Sequence, residues 1–214
     1  ILGTVDTIGA ATPESLADWR GELYGAERLV ISAAGRIDEA ELLALAERDF
    51  GQAAPAKGRG ETSPAVFQGG AQARAKSLEQ ANLVFLLPSV GVADPDYFAL
   101  RLFAEILGGG MASRLFQEAR EKRGLAYAID AYSETYADQG VLGVFAGCDA
   151  ADAAELAKVA AHEIARLGQD VTDAELARAK AQLKSGLFMM RESPLSRAEQ
   201  AAAQLLLFDR LLPP

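Results

Sequence analysis

The chain has 214 residues, half of them hydrophobic and 24% charged, enough apolar material for one sizeable core or two small ones. No apolar run is long enough to span a bilayer, so no membrane is expected as a partner. With 30 acidic against 21 basic residues the net charge is −9, which argues against a phosphate-binding surface and against nucleic acid as the main partner.

Taken in chain order, Ile1-Leu2-Gly3-Thr4-Val5-Asp6 lacks the basic start and apolar core of a secretory leader. The chain has no initiator Met and stops at Leu212-Pro213-Pro214 directly after a helical stretch, so both ends read as cut. Thr12-Pro13-Glu14-Ser15 opens a helix, with Thr as N-cap and Pro in the first turn. Leu16, Trp19, Leu23 and Tyr24 share one of its faces, and Trp19 reads as a core residue. Residues 28–34 (RLVISAA) predict a short apolar strand. Asp38 caps a further helix whose Leu42, Leu43, Leu45, Ala46 and Phe50 face inward.

Residues 51–63 (GQAAPAKGRGETS) lack large apolar side chains and break both periodicities, so they read as a linker. Strands are predicted over 65–68, 71–76 and 81–87, the last ended by Pro88. A helix over 96–107 presents Phe98, Leu102, Phe103 and Ile106, and Gly108-Gly109-Gly110 stops it. Another helix runs from near Ser113 to about Lys122, where Gly124 ends it. Strands over 125–135 and 140–148 follow. Three helices close the chain: one to Leu167, one from the capping box Thr172-Asp173-Ala174-Glu175 to Met190, and one from Ser193-Pro194 to about Phe208. Clustered strands and consecutive helices indicate an α+β fold, a layered sheet with helices packed on one face.

The single histidine constrains the chemistry. His162-Glu163 is followed by Arg166 where a HExxH helix needs its second His, and the inverted HxxEH pattern fails as well. His162 therefore reads as a surface residue, and the lone Cys148 as a buried, inert thiol in a strand. No complete zinc site is expected within the chain, nor a Ser-His-Asp or Cys-His catalytic set. The Gly108–Arg114 turn lacks the Gly-Lys-Ser/Thr ending of a phosphate loop and follows a helix, so it reads as a tight helix–helix corner.

Residues 107–127 (LGGGMASRLFQEAREKRGLAY) carry most information. By themselves they are a glycine corner, an amphipathic helix, a Gly stop and a strand start. Arg120, Lys122 and Arg123 near the helix C-terminus offset its dipole, and Tyr127 reads as a half-buried strand residue.

This segment closely resembles the second-domain signature of the pitrilysin/insulinase family of zinc peptidases, particularly its processing-peptidase branch. The shared pattern is a Leu-Gly-Gly-Gly corner, Ser-Arg-Leu-Phe, then Arg-Glu-Lys-Arg-Gly-Leu-Ala-Tyr. The likeness extends in order through Thr12–Leu16, Leu29–Gly35, Asp38–Phe50, Glu79–Asn82, Gly147-Cys148-Asp149, Glu175–Lys180 and Glu192–Gln200.

The resemblance implies two related α+β domains per full subunit, closing over a chamber for extended peptides. Residues 1–50 would be the end of a first, zinc-bearing domain, 51–63 the linker, and 64–214 a second domain incomplete at its C-terminus. It implies a zinc metalloendopeptidase in which zinc, held by an HxxEH helix and a distal Glu, activates water and polarises the scissile carbonyl. The second domain supplies an Arg and a Tyr seven positions apart, here Arg120 and Tyr127, which bind that carbonyl and its oxyanion.

No HxxEH occurs in this chain. The expected cofactor, zinc, would then sit in a missing first-domain segment or on a zinc-bearing partner subunit, and this fragment alone would be inactive. Peptides are the expected substrates, and a homo- or heterodimer the expected assembly. The alternative is a zinc-less scaffold or substrate-binding subunit of a heteromeric peptidase. The alanine-rich composition and absence of extracellular features point to a bacterial cytoplasmic protein.

Overall fold

The computed structural model describes residues 2–58 and 63–212. The chain divides into two compact units, one formed by Ile1–Ser63 with Met190–Pro214 and the other by Pro64–Met189.

The first unit is helical. A short helix α1 (Val5–Gly9) precedes α2 (Pro13–Leu23), a 3-10 turn (Ala26–Arg28), α3 (Glu39–Phe50) and, after the chain returns, α7 (Pro194–Phe208). The capping logic of the sequence is met. Thr12 accepts from the Ser15 N–H, Asp38 from the Glu41 N–H and Ser193 from the Ser196 N–H.

Two expectations for this unit are corrected. Residues 28–34 form no strand: Leu29 is extended (φ −103°, ψ 124°), but no neighbouring strand pairs with the segment among the described residues. An extended chain becomes a strand only when a second one satisfies its peptide groups. Trp19 is not a core residue either. It is 48% exposed beside Tyr24, ring centroids 5.6 Å apart, and Leu16, Leu43, Leu45 and Phe50 are exposed as well. Amphipathic faces were legible here, but no apolar side chain of this unit is buried among the described residues.

The second unit holds the core. Strands β1 (Ala81–Val90), β2 (Ala128–Thr135) and β3 (Gln139–Cys148) form an antiparallel sheet in the order β1-β3-β2. Helices α4 (Tyr97–Gly108) and α5 (Ala153–Asp170) pack on one face. The register sets Leu83, Ala146 and Ile129 in one row and Phe85, Val144 and Ala131 in the next, all against Ile106, Leu107, Leu156, Val159 and Ala160. The opposite face carries the exposed Val84 and Leu86, with Phe145 between Val84 and Asp130. Period-two alternation along β1 therefore sorts its side chains between helix-covered and open faces.

Residues 65–68 and 71–76, expected as strands, are irregular. Gly69, Gly70, Ala71, Ala73 and Ala75 offer little side chain to pack on a pleated surface. Strand β1 instead continues through Pro88, which pairs with Val141. It is an edge strand, where proline's missing N–H is tolerated. The helix from Ser113 is also more specific than expected, because Phe116–Glu121 is wound as a π-helix. Of the apolar residues that this helix presents, Phe98 is exposed at the start of α4, whereas Ile106 is buried at its end.

The chain continues through α6 (Asp173–Glu192), opened by the predicted capping box: Glu175 N–H to Thr172 Oγ1 at 3.3 Å and Thr172 N–H to Glu175 Oε2 at 2.9 Å.

Candidate functional site

The corner that follows α4 fixes where the site begins. Gly108 lies so close to β2 that a Cβ would fall 2.1 Å from the Ala131 nitrogen, and Gly110 adopts φ 130°. Side chains of α6 hold the corner: Arg178 donates to the Ala112 carbonyl at 3.1 Å, and Gln182 to that of Gly109 at 3.5 Å.

Arg114 then anchors the π-wound turn. Only 7% exposed, it donates through Nε and Nη2 to both Glu175 carboxylate oxygens at 2.7 and 2.8 Å, and through Nη1 and Nη2 to the Asp170 side chain and carbonyl. Glu175 is held down at about 2, chiefly by the Arg114 guanidinium and secondarily by Thr172, against the upward push of burial. Arg114 is shifted up by the same contact. The bidentate geometry joins the start of the turn to the α5–α6 junction.

Beyond this anchor, the Lys122 N–H donates to the Gln117 carbonyl, five residues back, at 3.0 Å. The Gly124 N–H reaches the Arg120 carbonyl at 3.0 Å and the Leu125 N–H that of Ala119 at 2.8 Å, with Gly124 at φ 65°. Ala119, Leu115 and Ala126 are buried beneath. The Tyr127 N–H continues the ladder to the Gly147 carbonyl at 2.8 Å. The whole connection from residue 120 to residue 127 is thus pinned by backbone bonds to the helix end and to β3.

Arg120 and Tyr127 stand at the two ends of this connection, both exposed. Arg120 lies with its guanidinium 4.9 Å from the Phe116 ring centroid, a cation–π contact. Its neighbours are paired, Lys122 with Glu118 and Arg123 with Glu155, whereas Arg120 forms no ion pair among the described residues. Tyr127, 51% exposed, donates its hydroxyl to Asp149 Oδ2 at 2.8 Å. That contact, with the charges of Asp149 and Asp152 nearby, pushes its phenol above the ordinary value. The Arg120 guanidinium carries N–H donors and the Tyr127 phenol one O–H, groups of the kind that can donate to a carbonyl oxygen.

The remaining candidates lie elsewhere. His162 is exposed on α5, and Cys148 is buried on β3, where desolvation pushes its thiol up. Sequence reasoning missed the roles of Arg114 and Asp149, although both lie in segments it singled out. A buried arginine and a tyrosine partner 22 residues away leave no periodic trace.

The site thus stands on an α+β unit whose helices cover one sheet face. Residues 10–183 match the family described as "Peptidase M16 inactive domain". The chain belongs to that family.

It is 36% identical over 219 residues to an uncharacterised zinc protease of Rickettsia felis, covering 100% of this chain and 52% of that protein. An uncharacterised zinc protease of Bacillus subtilis is 32% identical, covering 98% and 51%. The chain thus spans about half the length of the curated relatives it matches. The crystal structure of a peptidase M16 inactive domain from Pseudomonas fluorescens superposes with TM-score 0.77 at 26% identity, over 94% of this chain and 48% of the other. A protease from Helicobacter pylori shares the fold at TM-score 0.78 and 19% identity, over 95% of this chain and 51% of its own.

The relatives' names imply zinc in the family. Among the described residues no three His, Cys, Asp or Glu side chains gather in a metal-holding arrangement. Among those residues, too, no helix is long and apolar enough to cross a membrane.

Proposed function

We propose that this chain is the substrate-side portion of a zinc-dependent endopeptidase. In this reading residues 1–50 end a first domain, 51–63 link, and 64–214 belong to a second domain. Zinc is supplied by an HxxEH motif outside the chain, in a first-domain segment or a partner subunit.

Arg120 and Tyr127 bind the carbonyl oxygen of the scissile peptide bond. The guanidinium supplies fixed positive charge with N–H donors, and the phenol a neutral O–H. Neither surrenders its proton at working pH, so both stabilise negative charge building on that oxygen without acting as acid or base. The observation that carries the reading is the exposure of both donors at the two ends of one backbone-pinned connection, within a family whose relatives are named zinc proteases.

The test is peptide cleavage by the full-length protein or its assembly carrying Arg120→Gln. A fall in kcat on the order of 100-fold or more is expected for loss of one such donor. Wild-type turnover would overturn the assignment.

The family's description as an inactive domain is equally compatible with a second reading, a zinc-less substrate-binding subunit in which the same pair grips peptide for a zinc-bearing partner. Zinc content of the full-length subunit, alone and with its partner, separates the two.

A further inference from the structure

Tyr127 has one hydroxyl proton, and at rest it is already committed. The phenol oxygen lies 2.8 Å from Asp149 Oδ2. Asp149 is itself well placed to hold it. It follows the fully buried Cys148 at the end of β3, and its carbonyl accepts the Asp152 N–H at 3.0 Å, fixing the turn into α5. The Tyr127 backbone is tied to the same strand end through Gly147. The ring is half exposed, so core packing alone does not choose its orientation.

We propose that Asp149 is the positioning residue of the Tyr127 phenol, orienting its hydroxyl at rest and releasing that hydrogen bond so that the hydroxyl donates to the substrate carbonyl oxygen as charge develops there. This deepens, and rests on, the role proposed above for Tyr127.

A neutral carbonyl is a weaker acceptor than a carboxylate, whereas an oxyanion competes with one. The hydroxyl therefore leaves the carboxylate only as charge develops on the substrate oxygen; because the carboxylate bond is given up in that step, what Asp149 contributes to turnover is the orientation of the hydroxyl, not the energy of the exchange. No bond other than hydrogen bonds changes, and the proton stays on the phenol oxygen throughout. The charged groups acting on the phenol are Asp149 from the β3 end and Asp152 from the start of α5, both holding it in its protonated form.

The experiment has two arms. In the first, the full chain is labelled with 13Cζ-tyrosine and titrated by NMR, the Tyr127 resonance being assigned among five tyrosines by its loss in Tyr127→Phe. Asp149→Ala is expected to bring the Tyr127 midpoint down towards the ordinary value of about 10, and Asp149→Asn to leave it between the two. An unchanged midpoint in Asp149→Ala overturns the proposal.

In the second arm, peptide cleavage is measured in the full-length assembly. Asp149→Ala should lower kcat by roughly tenfold with KM little changed, and should add nothing in a Tyr127→Phe background. An equal loss in both backgrounds means that Asp149 does not act through Tyr127, and overturns the proposal. If Tyr127→Phe alone leaves cleavage intact, the oxyanion reading fails, and the midpoint of the first arm still decides whether Asp149 holds the phenol.

Discussion

Replacing Glu175 with Gln tests whether the site's scaffold is held electrostatically. The carboxylate accepts both prongs of a guanidinium that is 7% exposed, and its own side chain is only 17% exposed. Its folded-state value is lowered from 4.5 to about 2, with Arg114 the largest cause. A depression of that size corresponds to roughly 3 kcal/mol of stabilisation at neutral pH.

The sign follows from a folded value lying below the unfolded one. The contribution is complete above pH 4.5 and is lost as pH falls towards 2. Glu175→Gln should therefore cost about 3 kcal/mol at pH 7, since Arg114 is left buried with the half-exposed Asp170 as its remaining carboxylate. The penalty should shrink as the acid limit is approached, because the wild-type carboxylate is protonated there as well.

Urea unfolding followed by far-UV circular dichroism at pH 7 and at pH 3 measures both quantities. Trp19 belongs to the other unit, so its fluorescence would not report this one. A loss below about 1 kcal/mol at pH 7, or an identical acid limb in the variant, would refute the electrostatic account of the anchor.

Other outcomes follow from the same geometry. Gly108→Ala places a Cβ 2.1 Å from the Ala131 nitrogen, so α4 must move off β2; a destabilisation of about 1–3 kcal/mol is expected in the same unfolding assay. Cys148, fully buried with its thiol pushed up by desolvation, should react with a thiol reagent only at the rate of unfolding, and fast labelling of the native chain would contradict its burial. The chain alone should take up no stoichiometric zinc by metal analysis after dialysis, since its described donors form no ligand set.

Much of the architecture could be read from the residues because the signals were local. Thr12-Pro13, Asp38, Thr172 with Glu175, and Ser193-Pro194 each satisfy orphan N–H groups of the helix they open, and all of those helices begin there. The strands around Asn82, Tyr132 and Val144 were marked by apolar runs that the sheet then pairs.

What failed depended on partners outside the window being read. Residues 28–34 have strand-like composition but, among the described residues, no strand beside them. Trp19 sits on a genuine amphipathic face that nothing in its unit buries. Pro88 reads as a stop until β1 is known to be an edge strand. The π-winding of Phe116–Glu121 follows from i, i+5 bonding, which helix-forming residues do not announce. At the candidate site, Arg120 and Tyr127 were legible only through a family pattern. Asp149 and Arg114 became meaningful when the fold brought them to the phenol and to Glu175.

In the proposed mechanism the Tyr127 phenol donates to the oxygen of the bond being cut. Steady-state peptide cleavage by the full-length assembly carrying Tyr127→Phe tests it most directly. The expected result is kcat lower by about 100-fold or more with KM within about twofold of wild type, because the lost bond belongs to the transition state. Wild-type kcat, or a loss confined to KM, would contradict it.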